Sequence, residues 1–145
     1  MINKIDAFLR SWSQEILSAQ RIVAAFMFTQ HGGQKLFGFP VASAEEFHLF
    51  SLDPGMAGVL EIIGGPLLFL GLFTRPVAFV LSGLMAFAYF IGHAPNAFWT
   101  LANRGDSSVL YCFIFLYIAS VGGGSWSLDN LLRHKASPGN ALGVS

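Results

Sequence analysis

The sequence predicts an all-α integral membrane bundle of four transmembrane helices, preceded by an amphipathic helix lying at the membrane interface. Three observations predict it. The chain has 145 residues, 54% of them hydrophobic and only 11% charged, against about 25% charged in a typical soluble domain. Its mean hydropathy is +0.59. Four segments, 16–37, 55–73, 76–92 and 107–121, approach the roughly 20 mostly apolar residues that a crossing helix needs. Within them FVLSGLMAFAYFIG (79–92) is apolar all round, where a helix of a soluble bundle would show a polar outer face.

Residues 1–15 form the interfacial helix. Ile2, Ile5, Leu9 and Trp12 recur at three- and four-residue steps, continued by Ile16, opposite Asn3, Asp6, Ser13 and Gln14. That pattern suits a helix in the membrane plane with Trp12 at headgroup depth; a solvent-facing helix packed on its own protein would share it. The stretch lacks the continuous apolar core and small-residue cleavage site of a signal peptide.

The four-helix domain runs over 16–132. Its first segment is crowded by Arg21, Gln30, His31, Gln34 and Lys35, of which Arg21 and Lys35 can snorkel to opposite interfaces. Segments two and three are joined by Thr74-Arg75-Pro76, a link short enough to make them antiparallel neighbours, with Pro76 tolerated in a first helical turn. Gly64-Gly65-Pro66 is expected to break the second helix, its glycines allowing close approach of a neighbour. Gly83 and Ser82 are expected to give the third helix a contact face, and Cys112 to be a small core residue. After the glycines at 122–124, Trp126 can anchor at the interface and Ser127-Leu128-Asp129 can cap a short helix. Residues 133–145 read as a disordered cytoplasmic tail.

With four crossings, both termini and the middle link share a side. That side holds Lys4, Arg10, Arg21, Arg75, Arg133 and Lys135; the other holds Lys35 and Arg104, with Glu45, Glu46 and Asp53. The positive-inside rule then puts both termini of this multi-pass protein in the cytoplasm. The formal net charge is zero and no basic tract exists, which removes electrostatic support for a nucleic-acid partner. The one cysteine, Cys112, excludes an internal disulfide, a CxxC pair and a cysteine metal cage. No phosphate-binding loop, GxSxG elbow or HExxH is present.

This topology gathers polar groups at the outer helix ends: His31 and Lys35, Glu61, His93, and Arg104 with Asp106. Glu61 is the informative one. It sits about 9 Å along its helix from Gly55 at 1.5 Å per residue, between apolar neighbours. A carboxylate there costs several kcal/mol unless paired or protonated, so it is expected to face the bundle, with Lys35 as partner and His31 one turn deeper on the same face. The pair reads two ways: a pin that fixes helix register, or a site for a small polar or redox-active ligand. His31 and His93 also raise haem ligation, against which stands their closeness to the surface; a metal held by His31, Glu61 and His93 has no support from spacing.

HGGQKLFGF, GVLEIIGGPLLFLGLFTRPVAF, MAFAYFIGHAPNAFW and NRGDSSVLYCFIFLYIASVGGGSWSLD carry the ordered set HG..K, E..GG, GL.TR, H.P and G.G.WSLD. In these the chain resembles the DoxX family of small four-helix bacterial membrane proteins, over roughly 21–131. Where relatives commonly carry glutamate before the fourth helix, this chain has Asp106, one methylene shorter. The resemblance implies an accessory role in a membrane redox system, linked to quinone, sulfur or oxidative stress, with other redox subunits or a second copy as partners beside the lipid bilayer. It leaves the cofactor open, a quinone-like or small sulfur-containing ligand being compatible with it. The alternative is a non-catalytic assembly subunit or small-molecule carrier in which the charged cluster is structural; a related branch acts in cargo export, so the fold does not fix a chemistry.

Overall fold

The computed structural model describes residues 2–42 and 55–136, all helical or turn, with no strand among them. The elements are α1 (Ile2–Ser11), α2 (Ser13–Phe37), α3 (Ala57–Leu70), α4 (Thr74–Ala88, carried on by a π-helical turn Tyr89–His93), α5 (Thr100–Asn103), α6 (Asp106–Val121) and α7 (Leu128–Ala136). α2 packs chiefly on α3 and α4 on α6, with α3 against α4 closing the bundle. Leu17, Ala25, Phe28, Leu68, Ala78, Leu81, Met85, Phe115 and Ile118 make the core.

Helix lengths depart from the four expected spans. Thr74–His93 is long and apolar enough to cross a membrane, at 20 residues and mean hydropathy 1.6. α3 and α6 are apolar but have 14 and 16 residues, about 21 and 24 Å at 1.5 Å per residue. α2 has 25 residues but carries Arg21 and Lys35. The second segment ends early because Gly71, in the left-handed region at φ 69°, closes α3. Its N–H donates to Leu68 O and that of Leu72 to Leu67 O, the paired bonds of a Schellman end. Pro66 does not break α3, which runs through it unbroken. Near the N-terminus, α1 and α2 meet at Trp12, so the helix expected over 1–15 stops at Ser11 and α2 begins before residue 16. α7 continues through Arg133 to Ala136, into the stretch expected to be a disordered tail; the rest of that tail, 137–145, lies outside the described residues, as do Glu45, Glu46 and Asp53.

Arg21 does not snorkel. It is fully buried at 0% exposure, and its guanidinium donates to Gly123 O, Leu68 O, Phe69 O and Trp126 O at 2.5 to 2.8 Å. Two of these are end carbonyls of α3, and two belong to the turn after α6. Carbonyls at a helix C-terminus carry partial negative charge, so one cation ties three elements together. The turn itself is built to reach it. Gly124 lies at φ 76°, and a Cβ there would strike Ser18 Oγ, whose hydroxyl accepts from the Trp126 N–H at 3.0 Å.

Asp129 completes the knot. Its carboxylate accepts the N–H groups of Phe73 at 2.9 Å and Thr74 at 2.8 Å, capping α4 from a helix remote in sequence. Ser127 Oγ accepts the Asn130 N–H at 3.3 Å and so starts α7, as the sequence suggests. Partial burial alone would raise the Asp129 pKa; the N–H donors of Thr74 and Phe73 and the charge of Arg133 bring it below the ordinary 3.8.

Replacing Arg21 by Met removes donors from four carbonyls, two of them in buried hydrogen bonds, at a cost of roughly 3 kcal/mol. We expect the melting midpoint of the detergent-solubilised protein to fall by about 10 °C. For Asp129 the sign follows from its lowered folded pKa: its stabilisation is whole above the unfolded value of 3.8 and vanishes as pH falls through the lower folded value. Asp129→Asn should therefore melt below wild type at neutral pH, and the gap should close on acidification.

Candidate functional site

The α2–α3 seam positions the site, and glycine makes the seam. A Cβ at Gly32 would lie 2.7 Å from Ile62 N and 2.9 Å from Glu61 Cβ; one at Gly58 would lie 3.1 Å from Lys35 Cβ. A Cβ at Gly65 would strike Thr29 Oγ1. The two backbones thus touch along α3, and they touch hardest where Lys35 meets Glu61. Lys35 Nζ donates to Glu61 Oε1 at 2.8 Å, the side chains being 22% and 2% exposed. The expected inward-facing carboxylate and its lysine partner are present.

Above the pair lies a cavity of about 240 Å³, bounded by Phe28, His31, Lys35, Glu61, Met85, Ala88, His93, Ser107, Ser108 and Tyr111. Four of the six residues singled out from the sequence, His31, Lys35, Glu61 and His93, therefore share one space. Arg104 and Asp106 do not line it and are exposed. Arg104 occupies the left-handed region at φ 57°, and Asp106 opens the first turn of α6, where the helix dipole favours its charge.

His93 reaches the cavity through the π-helical turn. The Ala94 N–H donates to Tyr89 O at 2.8 Å, and such wide turns re-aim side chains at helix ends and at functional sites. Its Nδ1 lies 3.0 Å from Asn103 O. A carbonyl only accepts, so Nδ1–H donates to it, and Nε2 is the other ring nitrogen, an acceptor when it carries no proton. Gly105 lets the following loop close on this ring; a Cβ there would lie 2.8 Å from His93 Cβ and from Tyr89 Cδ2. Asn103, buried, braces the loop through Ala97 O and the Gly105 N–H.

Ser107, Ser108 and the wall of Phe28 and Tyr111 were not anticipated as site residues. The Tyr111 ring stands 5.4 Å from that of Phe28 and 6.2 Å from that of His31. The available signal was helical phase: Ser107, Ser108 and Tyr111 recur at three- and four-residue steps on α6, one face of a helix. Chemically, the cavity offers an ammonium, a carboxylate, two imidazoles, two hydroxyls and a phenol beside Phe28. It can hold a small polar group and exchange a proton with it. Among the described residues no three His, Cys, Asp or Glu side chains are gathered as a metal site.

A family model, DoxX, matches residues 16–94. The chain belongs to the DoxX family. An uncharacterized protein of Haemophilus influenzae is similar to this DoxX chain, 42% identical over 127 residues, which is 84% of this chain and 94% of the relative. No solved structure matches. The stretch matched to DoxX contains α2, α3 and α4 with His31, Lys35, Glu61 and His93; the α6 side of the cavity falls outside it.

The seam makes a paired prediction. Gly32→Ala forces α2 off α3 at the ion pair and should lower the melting midpoint. A Cβ at Gly83 meets nothing within 4 Å, so Gly83→Ala should be neutral or stabilising by about 0.5 to 1 kcal/mol. Thermal melts of the two variants beside wild type check both.

Proposed function

We propose that this DoxX protein is a multi-pass protein of the bacterial inner membrane, both termini cytoplasmic, acting as an accessory subunit of a quinone- or sulfur-linked redox system. The polar cavity at the outer helix ends is its working site. One observation carries the reading: titratable groups from α2, α3 and the end of α4 meet the hydroxyls of α6 around one void, inside a bundle whose outer faces are apolar.

The polarity of the bundle supports a lipid surround. Val23, Phe26, Ile63, Phe79, Val80, Phe90, Leu110 and Phe113 are exposed, while Arg21, Glu61, Thr74, Ser82 and Asn103 are buried. Water would penalise that arrangement, and a bilayer favours it. Helices shorter than the roughly 30 Å hydrocarbon core can be accommodated by local thinning and by flanking polar side chains. At one end, exposed Phe98, Trp99 and Leu101 suit an aromatic belt.

In the site, Lys35 donates to a ligand oxygen and the Glu61 carboxylate accepts a hydrogen bond from a ligand hydroxyl, with His93 beside them. A second reading has its own observation. The ion pair sits on the glycine seam, between the close approaches at Gly32 and Gly58, where a register pin would sit, and a non-catalytic assembly subunit or carrier needs no more than that.

The Lys35→Met, Glu61→Gln double variant separates the two. Either single change strands a buried partner, at roughly 3 kcal/mol, and should lower the melting midpoint sharply; the double change should restore most of it. A working site predicts a folded double variant that neither protects a deletion strain against oxidant challenge nor retains quinone that co-purifies with wild type. Full protection by the double variant would make the pair a register pin and overturn the redox reading.

A further inference from the structure

We propose that the outward face of the α3–α4 groove binds the chain of a single-tailed membrane amphiphile whose hydroxyl-bearing head enters the polar cavity past His93. The inference rests on the polar cavity being a binding site and adds the class and route of its ligand.

A groove of about 550 Å³ runs between these helices, lined by Leu60, Val80, Gly83, Leu84, Phe87 and Ile91, with Met56, Ala57 and Gly92. Its volume falls within the range of ligand clefts, about 300 to 1,000 Å³. The polar cavity, at about 240 Å³, is below that range and takes a head but not a tail. Two residues, Ala88 and His93, line both spaces. His93 is therefore the boundary between an apolar trough open to lipid and a cavity of charged and hydroxyl groups. The groove is polar at one end and apolar along its length, which is the polarity of an amphiphile.

The floor of the groove is made by what is missing. Gly83 and Gly92 both line it, and a Cβ at either would meet nothing within 4 Å. Gly32, Gly58 and Gly65 admit a neighbouring helix; Gly83 admits none. The expected helix contact at this position is instead made by Ser82, whose hydroxyl donates to Cys112 O at 2.8 Å. Gly83 faces the other way, and the space it leaves is the groove. The head chemistry follows from His93. Its Nδ1–H is engaged by Asn103 O, so Nε2 is the nitrogen left for a ligand, as an acceptor for an O–H. Beyond it the Lys35 ammonium is a donor for a head-group oxygen.

The test uses the full chain in phosphatidylcholine nanodiscs and a diazirine-bearing 4-alkylphenol, with labelled residues mapped by mass spectrometry. We expect labelling concentrated on Leu60, Leu84 and Phe87, competed by 4-dodecylphenol and at least tenfold less by dodecylbenzene, which lacks the hydroxyl. Gly83→Leu, whose side chain projects into empty space, should cut that labelling at least tenfold at unchanged helix content. Val80→Trp, at another groove wall, should do the same and serves if Gly83→Leu does not fold. His93→Phe should abolish the preference for the phenol over the hydrocarbon. Labelling spread evenly over all lipid-facing residues, labelling indifferent to both groove-filling variants, or a change of oligomeric state in Gly83→Leu without loss of labelling would overturn the proposal. The two readings fail separately: groove labelling that persists while the Lys35→Met, Glu61→Gln variant keeps full oxidant protection sinks the redox role alone, and labelling indifferent to Gly83→Leu sinks the groove alone.

Discussion

A carboxylate at 1% exposure among apolar helices is tolerable only with positive charge or a proton beside it, and the geometry of this bundle is organised around supplying the charge. Lys35 is on a different helix, so its ammonium can reach Glu61 at 2.8 Å only if α2 and α3 run in near-contact. Gly32 and Gly58 provide that contact directly beside the two charged residues. The order of causes is therefore glycine, seam, ion pair. A methyl group at Gly32 would act on the pair before it acted on anything else, because the atoms it meets are the backbone and Cβ of Glu61 and the next amide.

The two ends of the bundle use buried charge differently. Around Arg21 the acceptors are main-chain carbonyls, four of them, on segments remote from one another in sequence. Those groups cannot titrate, and the glycine turn closes tightly over them. Asp129 adds a carboxylate, but it is occupied by the N–H groups that begin α4. Around Glu61 the neighbours are side chains that gain and lose protons, and they surround a void. The first arrangement fastens the bundle; the second leaves room for something to enter. This contrast, more than the presence of charge, locates the candidate site at the Glu61 end.

Much of this was legible in the sequence, and for identifiable reasons. The inward Glu61 and its Lys35 partner followed from depth and helical phase, since hydrocarbon leaves a carboxylate few options. The place of Pro76 in a first helical turn was legible, though the link itself lies at 71–73, because Gly71 ends α3 early and Asp129 caps α4 from Thr74 onward; the start of α7 followed from Ser127. Arg21 was misread because snorkelling and burial impose the same demand on sequence, a long cation near a helix end. Only the carbonyls of α3 and of the turn after α6 distinguish them, and those are brought together by the fold. Pro66 was misread because a proline removes one hydrogen bond without forcing a break when the helix is held by its neighbours. The glycines were legible as a class but not individually: Gly32 and Gly83 look alike in the chain, yet one is pressed against Ile62 and Glu61 and the other faces open space. Arg104 and Asp106 share a sequence neighbourhood with the cavity-lining Ser107 and Ser108 but do not line the cavity, which is the limit of arguing position from proximity along a chain.

α4 is where these strands of argument join. Among the described residues it is, with its π-helical turn, the helix long and apolar enough to cross a membrane; it is capped in trans by Asp129 at its start, and its π-helical end brings His93 to the cavity. A regular α-helical turn would place residue 93 at a different angle on the helix; widening the turn changes that angle without lengthening the chain. The widened turn leaves backbone groups that need partners, and Asn103 and Gly105 close the following loop onto it. His93 is thus held in place by a device that stability alone does not require, at the boundary between an apolar groove and a polar cavity. Local departures from regular helix that the surrounding fold takes care to brace are where function is expected to reside.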